Sequence, residues 1–408
     1  MLLKLRVTLA LLFLFSLSKS FSQDQSADTT LVKTFEVYGF AMTDLGYNTK
    51  QINPAWSDAL RVTKLPTYKN QYAPDGTFYG SVRQTRFGVR GWTQTPLGPL
   101  KGVFEFDMFG VGADEGQTTM RPRQLYGELG RILVGQTNTP FMDGDIFPNT
   151  VEYWGPTGIV FFRNIQLRLA VMTGENELFV ALERPGASAD AGTEAGRIEL
   201  DSVVPKLELP DVSAHFKKSG PWGHIQIAGM LRDIKYKDIH ESGGYDLSGS
   251  VLGWGLHLST VLNLGAMNVF RGSIIHGEGV ENYMNDAPYD VGIIADSGNA
   301  QQPLKGKALP VTGWSAYLEH TWSPVWQTVL GYSATHIENT QLGSATAYKD
   351  GTYATITMVA TPVKNFMAAV EVEYGKRANF GNDYTSDAVK IQVSFKYSFS
   401  QSFYSRKK

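Results

Sequence analysis

Hydrophobic and polar residues alternate singly along much of this chain. In Ser81–Thr93, Val82, Gln84, Arg86, Gly88 and Arg90 fall on one face, and Thr85, Phe87, Val89 and Gly91 on the other. In Leu100–Phe109, Lys101, Val103, Glu105 and Asp107 oppose Gly102, Phe104, Phe106 and Met108. Ile165, Leu167, Leu169 and Val171 alternate with Asn164, Gln166, Arg168 and Ala170, and Leu252, Trp254, Leu256 and Leu258 with Gly253, Gly255, His257 and Ser259. Near the end, Val389, Ile391, Val393, Phe395, Tyr397 and Phe399 oppose Lys390, Gln392, Ser394, Lys396 and Ser398. Successive side chains of a strand point to opposite faces, so each segment carries one oily and one polar face. A soluble sheet buries the oily face; a membrane barrel turns it outward to lipid and lines its lumen with the polar one.

The connections favour the barrel. Short ones (Thr95–Pro99, around Gly130, Thr173–Asn176, Lys218–Gly223, Asn263–Ala266, Ser323–Val325, Thr361–Asn365) hold the Gly, Pro, Asn or Ser that tight turns require. They alternate with long ones, about Gly110–Thr118, Asn138–Val160, Arg184–Leu209, Ile234–Asp246, Gly277–Pro310, Ile337–Gly351 and Lys376–Asp387. Short periplasmic turns and long outer loops give that rhythm. Segments of roughly 8–14 residues lie between, long enough to cross a bilayer as tilted strands. The expectation is an all-β transmembrane antiparallel barrel of about sixteen strands, an even number that returns both ends to the periplasm. Tyr38, Trp92, Tyr126, Trp222, Trp314, Trp322, Trp326 and Tyr404 sit near strand ends, where aromatic girdles form.

Composition excludes other classes. Mean hydropathy is -0.18 and no stretch reaches the roughly 18 apolar residues of a membrane helix. Lys4 and Arg6 precede an apolar run, Val7 to Leu17, and then Ser20-Phe21-Ser22, which predicts a signal peptide over 1–22. A flexible segment over 23–34 and a barrel over 35–408 follow, the first strand being Phe35–Tyr47. With no cysteine, an exported chain relies on a closed strand network instead of disulfides. A net charge of -2 and the lack of a basic domain leave no nucleic-acid partner.

Arg121-Pro122-Arg123-Gln124-Leu125-Tyr126-Gly127-Glu128-Leu129-Gly130 is followed by Gly135-Gln136-Thr137 and Phe141-Met142-Asp143. Before it stand Gln84-Thr85-Arg86-Phe87-Gly88-Val89-Arg90 and Gly102-Val103-Phe104-Glu105-Phe106-Asp107. In this order, with Val37-Tyr38-Gly39-Phe40 and Arg163-Asn164-Ile165-Gln166-Leu167-Arg168, the set resembles the DcaP-like outer-membrane porins over about Val37–Ala170. The resemblance implies a homotrimeric sixteen-stranded porin of the Gram-negative outer membrane whose third extracellular loop folds into the lumen. It also implies a pore for small anionic solutes such as dicarboxylates. Here that loop is Asn138–Val160, with Asp143, Asp145 and Glu152. The coiled-coil extension such porins can carry is not expected, because Gln23–Lys33 is too short for three heptads.

On the lumen faces, Arg86, Arg90, Arg121, Arg123 and Arg168 form a ladder across alternate strands, with Glu105 and Asp107 between the first two rungs. Charged rings select by sign, and the planar guanidinium fork suits carboxylates. The same charges can instead pair with each other and brace the wall. The acids of the third loop, with Glu371 and Glu373, leave open a general or cation-preferring porin; the long outer loops leave open a non-conducting adhesin or scaffold. Arg163 has the opposite parity to Arg168 and is assigned to the loop entry, where parity no longer applies. Seven histidines are scattered without HExxH spacing, and His257 with Ser259 is the one near pair, lacking an orienting third group. His224 and His320, near turns, are read as interface residues. No enzyme, cofactor or metal site is expected. The last strand either runs to Tyr404 or leaves Ser400–Lys408 as a basic tail.

Overall fold

The computed structural model describes residues 31–190, 192–194, 203–239 and 244–406. Sixteen antiparallel strands close into one barrel. They are β1 (Leu31–Asn48), β2 (two pieces, Thr77–Ser81 and Arg86–Thr95), β3 (Gly98–Phe109), β4 (Thr118–Leu129), β5 (Ile132–Asn138) and β6 (Arg163–Met172). Then come β7 (Asn176–Glu183), β8 (Asp211–Gly220, extended by Val203–Lys206), β9 (Gly223–Asp238), β10 (Gly249–Leu264) and β11 (Asn268–Glu278). Pro310–Thr321, Trp326–Ile337, Tyr348–Val363, Phe366–Asn379 and Thr385–Arg406 are β12 to β16. Each strand pairs with the next, and β16 returns to β1 in register from Leu31↔Arg406 to Asn48↔Lys390.

That closure corrects one end of the sequence reading and decides the other. The first strand begins at Leu31 rather than Phe35, and of the two readings of the C-terminus the strand through Tyr404 holds, continuing to Arg406, because the two termini satisfy each other's backbone groups. The expected signal peptide and residues 23–30 lie outside the described residues.

The predicted alternation holds in space. Val134, Ile165, Leu167, Leu256 and Val370 are about half exposed on the outer wall, while Glu371, Glu373, Lys390 and Gln392 are fully buried inside. Trp222, Trp322 and Trp326 stand exposed at the short-turn end, where a lipid headgroup layer meets the barrel. At that end, turns such as 96–97, 130–131 and 364–365 join neighbouring strands; Gly130 and Asn365 take φ of 59° and 68° there.

The long connections L1 to L8 span 49–76, 110–117, 139–162, 184–210, 239–248, 279–309, 338–347 and 380–384. L1, L3 and L6 fold inward. Leu60 and Val62 from L1, Phe141 and Val160 from L3, and Val280, Tyr283 and Met284 from L6 pack together against Ala228, Ile275, Val311, Ile337 and Tyr353 of the wall. Apolar wall residues in this outer half give the loops' own apolar side chains a place to bury instead of standing in water. Val160 also makes a β-bridge to Met284, stitching L3 to L6.

Candidate functional site in the barrel lumen

L3 follows the inner wall from β8 round to β3, bound at each step by a side chain on a lumen face. The Asp143 carboxylate lies 2.7 Å from His224 Nε2 of β9, accepts from Ser259 of β10 at 2.7 Å, and lies 3.6 Å from Lys217 Nζ of β8. Asp145 pairs with the same Lys217. The Asn149 N–H donates to Glu319 of β12 at 2.8 Å. The Val151 N–H donates to Glu371 of β15 at 2.7 Å, and the Val151 carbonyl accepts from Gln84 and from Gln392 of β16. Glu152 pairs with Lys390 of β16, both side chains fully buried. Gly158 (φ 72°) lies against β12 and β13, where an added Cβ would overlap the Ala334 carbonyl oxygen.

Past Glu152 the loop reaches the arginine wall. β4 has Pro122, which cannot donate to the ladder, where its register to β3 shifts between Glu105 and Phe106. Arg121 and Arg123 flank it and both turn inward. Arg121 grips Asp107 with Nε at 3.2 Å and Nη2 at 2.8 Å; Arg123 reaches Asp107 at 2.7 Å and Glu105 at 3.3 Å; Arg86 lies 3.6 Å from Glu105. Tyr153 of L3 caps the group. Its hydroxyl donates to Asp107 at 2.5 Å and accepts from Arg123 at 3.0 Å, and its ring stacks on Phe109 at 3.8 Å. Burial pushes the Tyr153 hydroxyl above the usual tyrosine range, against the pull of Arg123, Arg121 and Arg163, so it stays protonated and donating.

The sequence ladder is thus brought together in part. Arg86, Arg121, Arg123, Glu105 and Asp107 form one cluster. Arg90 stands apart, 3.9 Å from Glu36 and stacked on Tyr38, and Arg168 lies over the Phe179 ring with no ion pair among the described residues. Arg163, assigned from parity to the loop, is the first residue of β6. It stacks on Phe161 and has no ion pair among the described residues, and its Nη1 has no hydrogen-bond partner. It joins the cluster because parity fails where a strand begins. Tyr153 carried no signal in the sequence beyond its place in the loop.

The loop acids lie away from the arginine cluster. Asp143 and Asp145 bind Lys217 and His224, and Glu152 binds Lys390, because barrel closure places those distant strands beside L3. Burial alone would raise the Asp143 carboxyl, yet His224, Lys217 and Ser259 together hold it well below the usual carboxylate range. His224 is therefore a lumen anchor, not an interface residue. His257 contacts the Phe141 carbonyl at 3.0 Å rather than Ser259. Asp143, Asp145 and His224 offer ligand atoms within 4.8 Å of one another, but the Lys217 ammonium on both carboxylates already supplies the positive charge a metal would bring.

Known proteins agree with this architecture. The family model described as DcaP outer membrane protein matches residues 13–399. Among solved structures, the outer membrane channel DcaP of Acinetobacter baumannii superposes with a TM-score of 0.74 at 19% identity, covering 92% of this chain and 99% of that one. The anion-selective porin of Comamonas acidovorans (TM-score 0.57, 11% identity, 90% and 100% covered) and OmpT of Vibrio cholerae (0.54, 12%, 92% and 100%) share the fold. No curated protein matches the chain. With a closed sixteen-stranded wall, a loop lodged in its lumen and a family model spanning nearly its whole length, this chain belongs to the DcaP family of outer-membrane porins, non-catalytic diffusion channels.

Proposed function

We propose that the channel passes small anionic solutes, dicarboxylates foremost, through a constriction biased by arginine. The observation that carries this reading is a charge imbalance. Arg86, Arg121 and Arg123 pair with two carboxylates, Glu105 and Asp107, and Arg163, with no ion pair among the described residues, adds its charge nearby, so four positive charges less two negative leave a net +2 beside the tip of L3. Within a water-poor constriction that excess raises the local concentration of anions. A carboxylate can exchange with the fixed acids on one guanidinium fork at a time, so it is held weakly enough to leave.

The opposing reading, a cation-preferring pore, needs free acids. Asp143 and Glu152 are already matched by lysine or histidine, and Asp145 by Lys217. Glu371 spends its oxygens on the L3 backbone and Thr357, and Glu373 lies buried 3.4 Å from Lys390. A homotrimer is proposed on the family resemblance. Liposome swelling tests the solute class: a dicarboxylate should enter proteoliposomes faster than a neutral solute of equal size. Equal or slower entry rejects the anion preference.

A further inference from the structure

We propose a second anion site, at the outer mouth of the channel and separate from the constriction. A cavity of about 440 Å³ opens there between L1, L6, L7 and the outer ends of β14 and β15. Three cations, Arg61, Lys64 and Arg377, line it and no carboxylate does. The lining threonines Thr63, Thr67 and Thr346 spend their hydroxyls on Asp286, Gln71 and Ser344, so the cations are the groups that would meet a ligand. A volume of this order suits a small organic ligand.

The cations are held in place by groups that leave positive charge over. Arg377 is buried, and its guanidinium donates to Asn379 Oδ1 at 3.1 Å and to the carbonyls of Thr346 (2.7 Å) and Thr63; among the described residues no carboxylate pairs with it. Carbonyl partners fix the fork without cancelling its charge. Arg61 is fixed against the edge-to-face pair Trp56 and Trp154, 4.2 and 4.0 Å from their centroids, and its charge is matched by Asp286 at 3.0 Å, outside the lining. Lys64 lies 3.6 Å from Glu115, with its side chain about a third exposed. The three cations therefore face two neighbouring carboxylates, Asp286 and Glu115, and both acids stand outside the cavity.

A rigid guanidinium with spare charge and a movable ammonium suit a ligand with two separated carboxylates. The site would concentrate such a solute from outside before it meets the cluster around Tyr153, and the Trp154 ring, packed on Arg61 and beside Tyr153, stands between the two. Its ligand class matches the proposed selectivity, but its existence does not depend on the sign of the constriction.

The test is a calorimetric titration of the full-length, detergent-solubilised protein with succinate. Lys64→Gln and Arg377→Gln should each weaken saturable binding roughly tenfold, the loss of one charge-assisted contact, and should do so equally in an Arg121→Ala/Arg123→Ala background. If Arg377→Gln loses the heat-modifiable barrel form, Lys64→Gln decides alone. No saturable binding to the wild type, unchanged affinity in the folded variants, or loss confined to Arg121→Ala/Arg123→Ala would each overturn the outer site. A cation-selective pore that still binds succinate through Lys64 would leave it standing while the constriction reading fell.

Discussion

The hydroxyl of Tyr153 donates to Asp107 at 2.5 Å, tying the tip of L3 to the carboxylate that Arg121 and Arg123 share. Tyr153→Phe keeps the stack on Phe109 and every formal charge but removes this tie. The expected cost is about 1.5–3 kcal/mol, that of a lost hydrogen bond to a charged group, read as a lower urea midpoint of the folded barrel. Ion preference should not change. A changed reversal potential would mean the hydroxyl itself sets selectivity.

Lys390 and Glu152 are both fully buried, and Glu373 lies 3.4 Å from the same ammonium. Lys390→Met strands those carboxylates without a partner. The expected loss is roughly 3–5 kcal/mol, as for breaking one side of a buried pair. Adding Glu152→Gln should restore part of it, and the urea midpoints of single and double variants give the coupling. Additive losses would show that the pair does not anchor L3.

Glu281 in L6 is fully buried, and neither carboxyl oxygen has a hydrogen-bond partner. Burial, then the nearby Asp290 charge, pushes its carboxyl well above the usual carboxylate range. A carboxyl raised in the folded state contributes stability that is full below the unfolded value and lost as pH rises through the folded one. L6 should therefore loosen on the alkaline side of the ordinary carboxylate range, and Glu281→Gln should flatten that dependence. Amide exchange of L6 against pH measures it. An unchanged profile in the variant would rule Glu281 out as the source.

Gly158 combines a left-handed φ of 72° with direct contact to the Ala334 carbonyl, whereas Gly112 has φ 64° and open space around it. Both Gly→Ala changes carry the conformational strain of roughly 1–3 kcal/mol, but only Gly158→Ala also forces L3 off the wall. Protease cleavage within L3 should rise in Gly158→Ala alone. Equal resistance in both would mean that L3 does not depend on this seat.

These dependencies show what the chain made legible. Period-two alternation placed Arg86, Glu105, Asp107, Arg121 and Arg123 on lumen faces, and neighbouring strands then had to bring them together. Loop length marked Asn138–Val160 as a long connection, and the family resemblance made it the loop of the lumen. The partners of Asp143 and Glu152 were hidden because His224 and Lys390 stand far along the chain and meet L3 only when the sheet closes. The same closure decides the extent of β1 and β16, whose last residues pair with each other and carry no local signature. Arg163 escaped because alternation gives no side to a residue at a strand's first position.

The most direct measurement is the reversal potential of single channels in a planar bilayer under a salt gradient. The wild type should reverse on the anion side, from four guanidiniums against two carboxylates. Arg121→Ala/Arg123→Ala leaves two against two and should bring the potential close to zero, while Glu105→Gln/Asp107→Asn should move it further toward anions. A wild-type reversal on the cation side, or one that the arginine pair does not shift, would contradict an arginine-set anion pore.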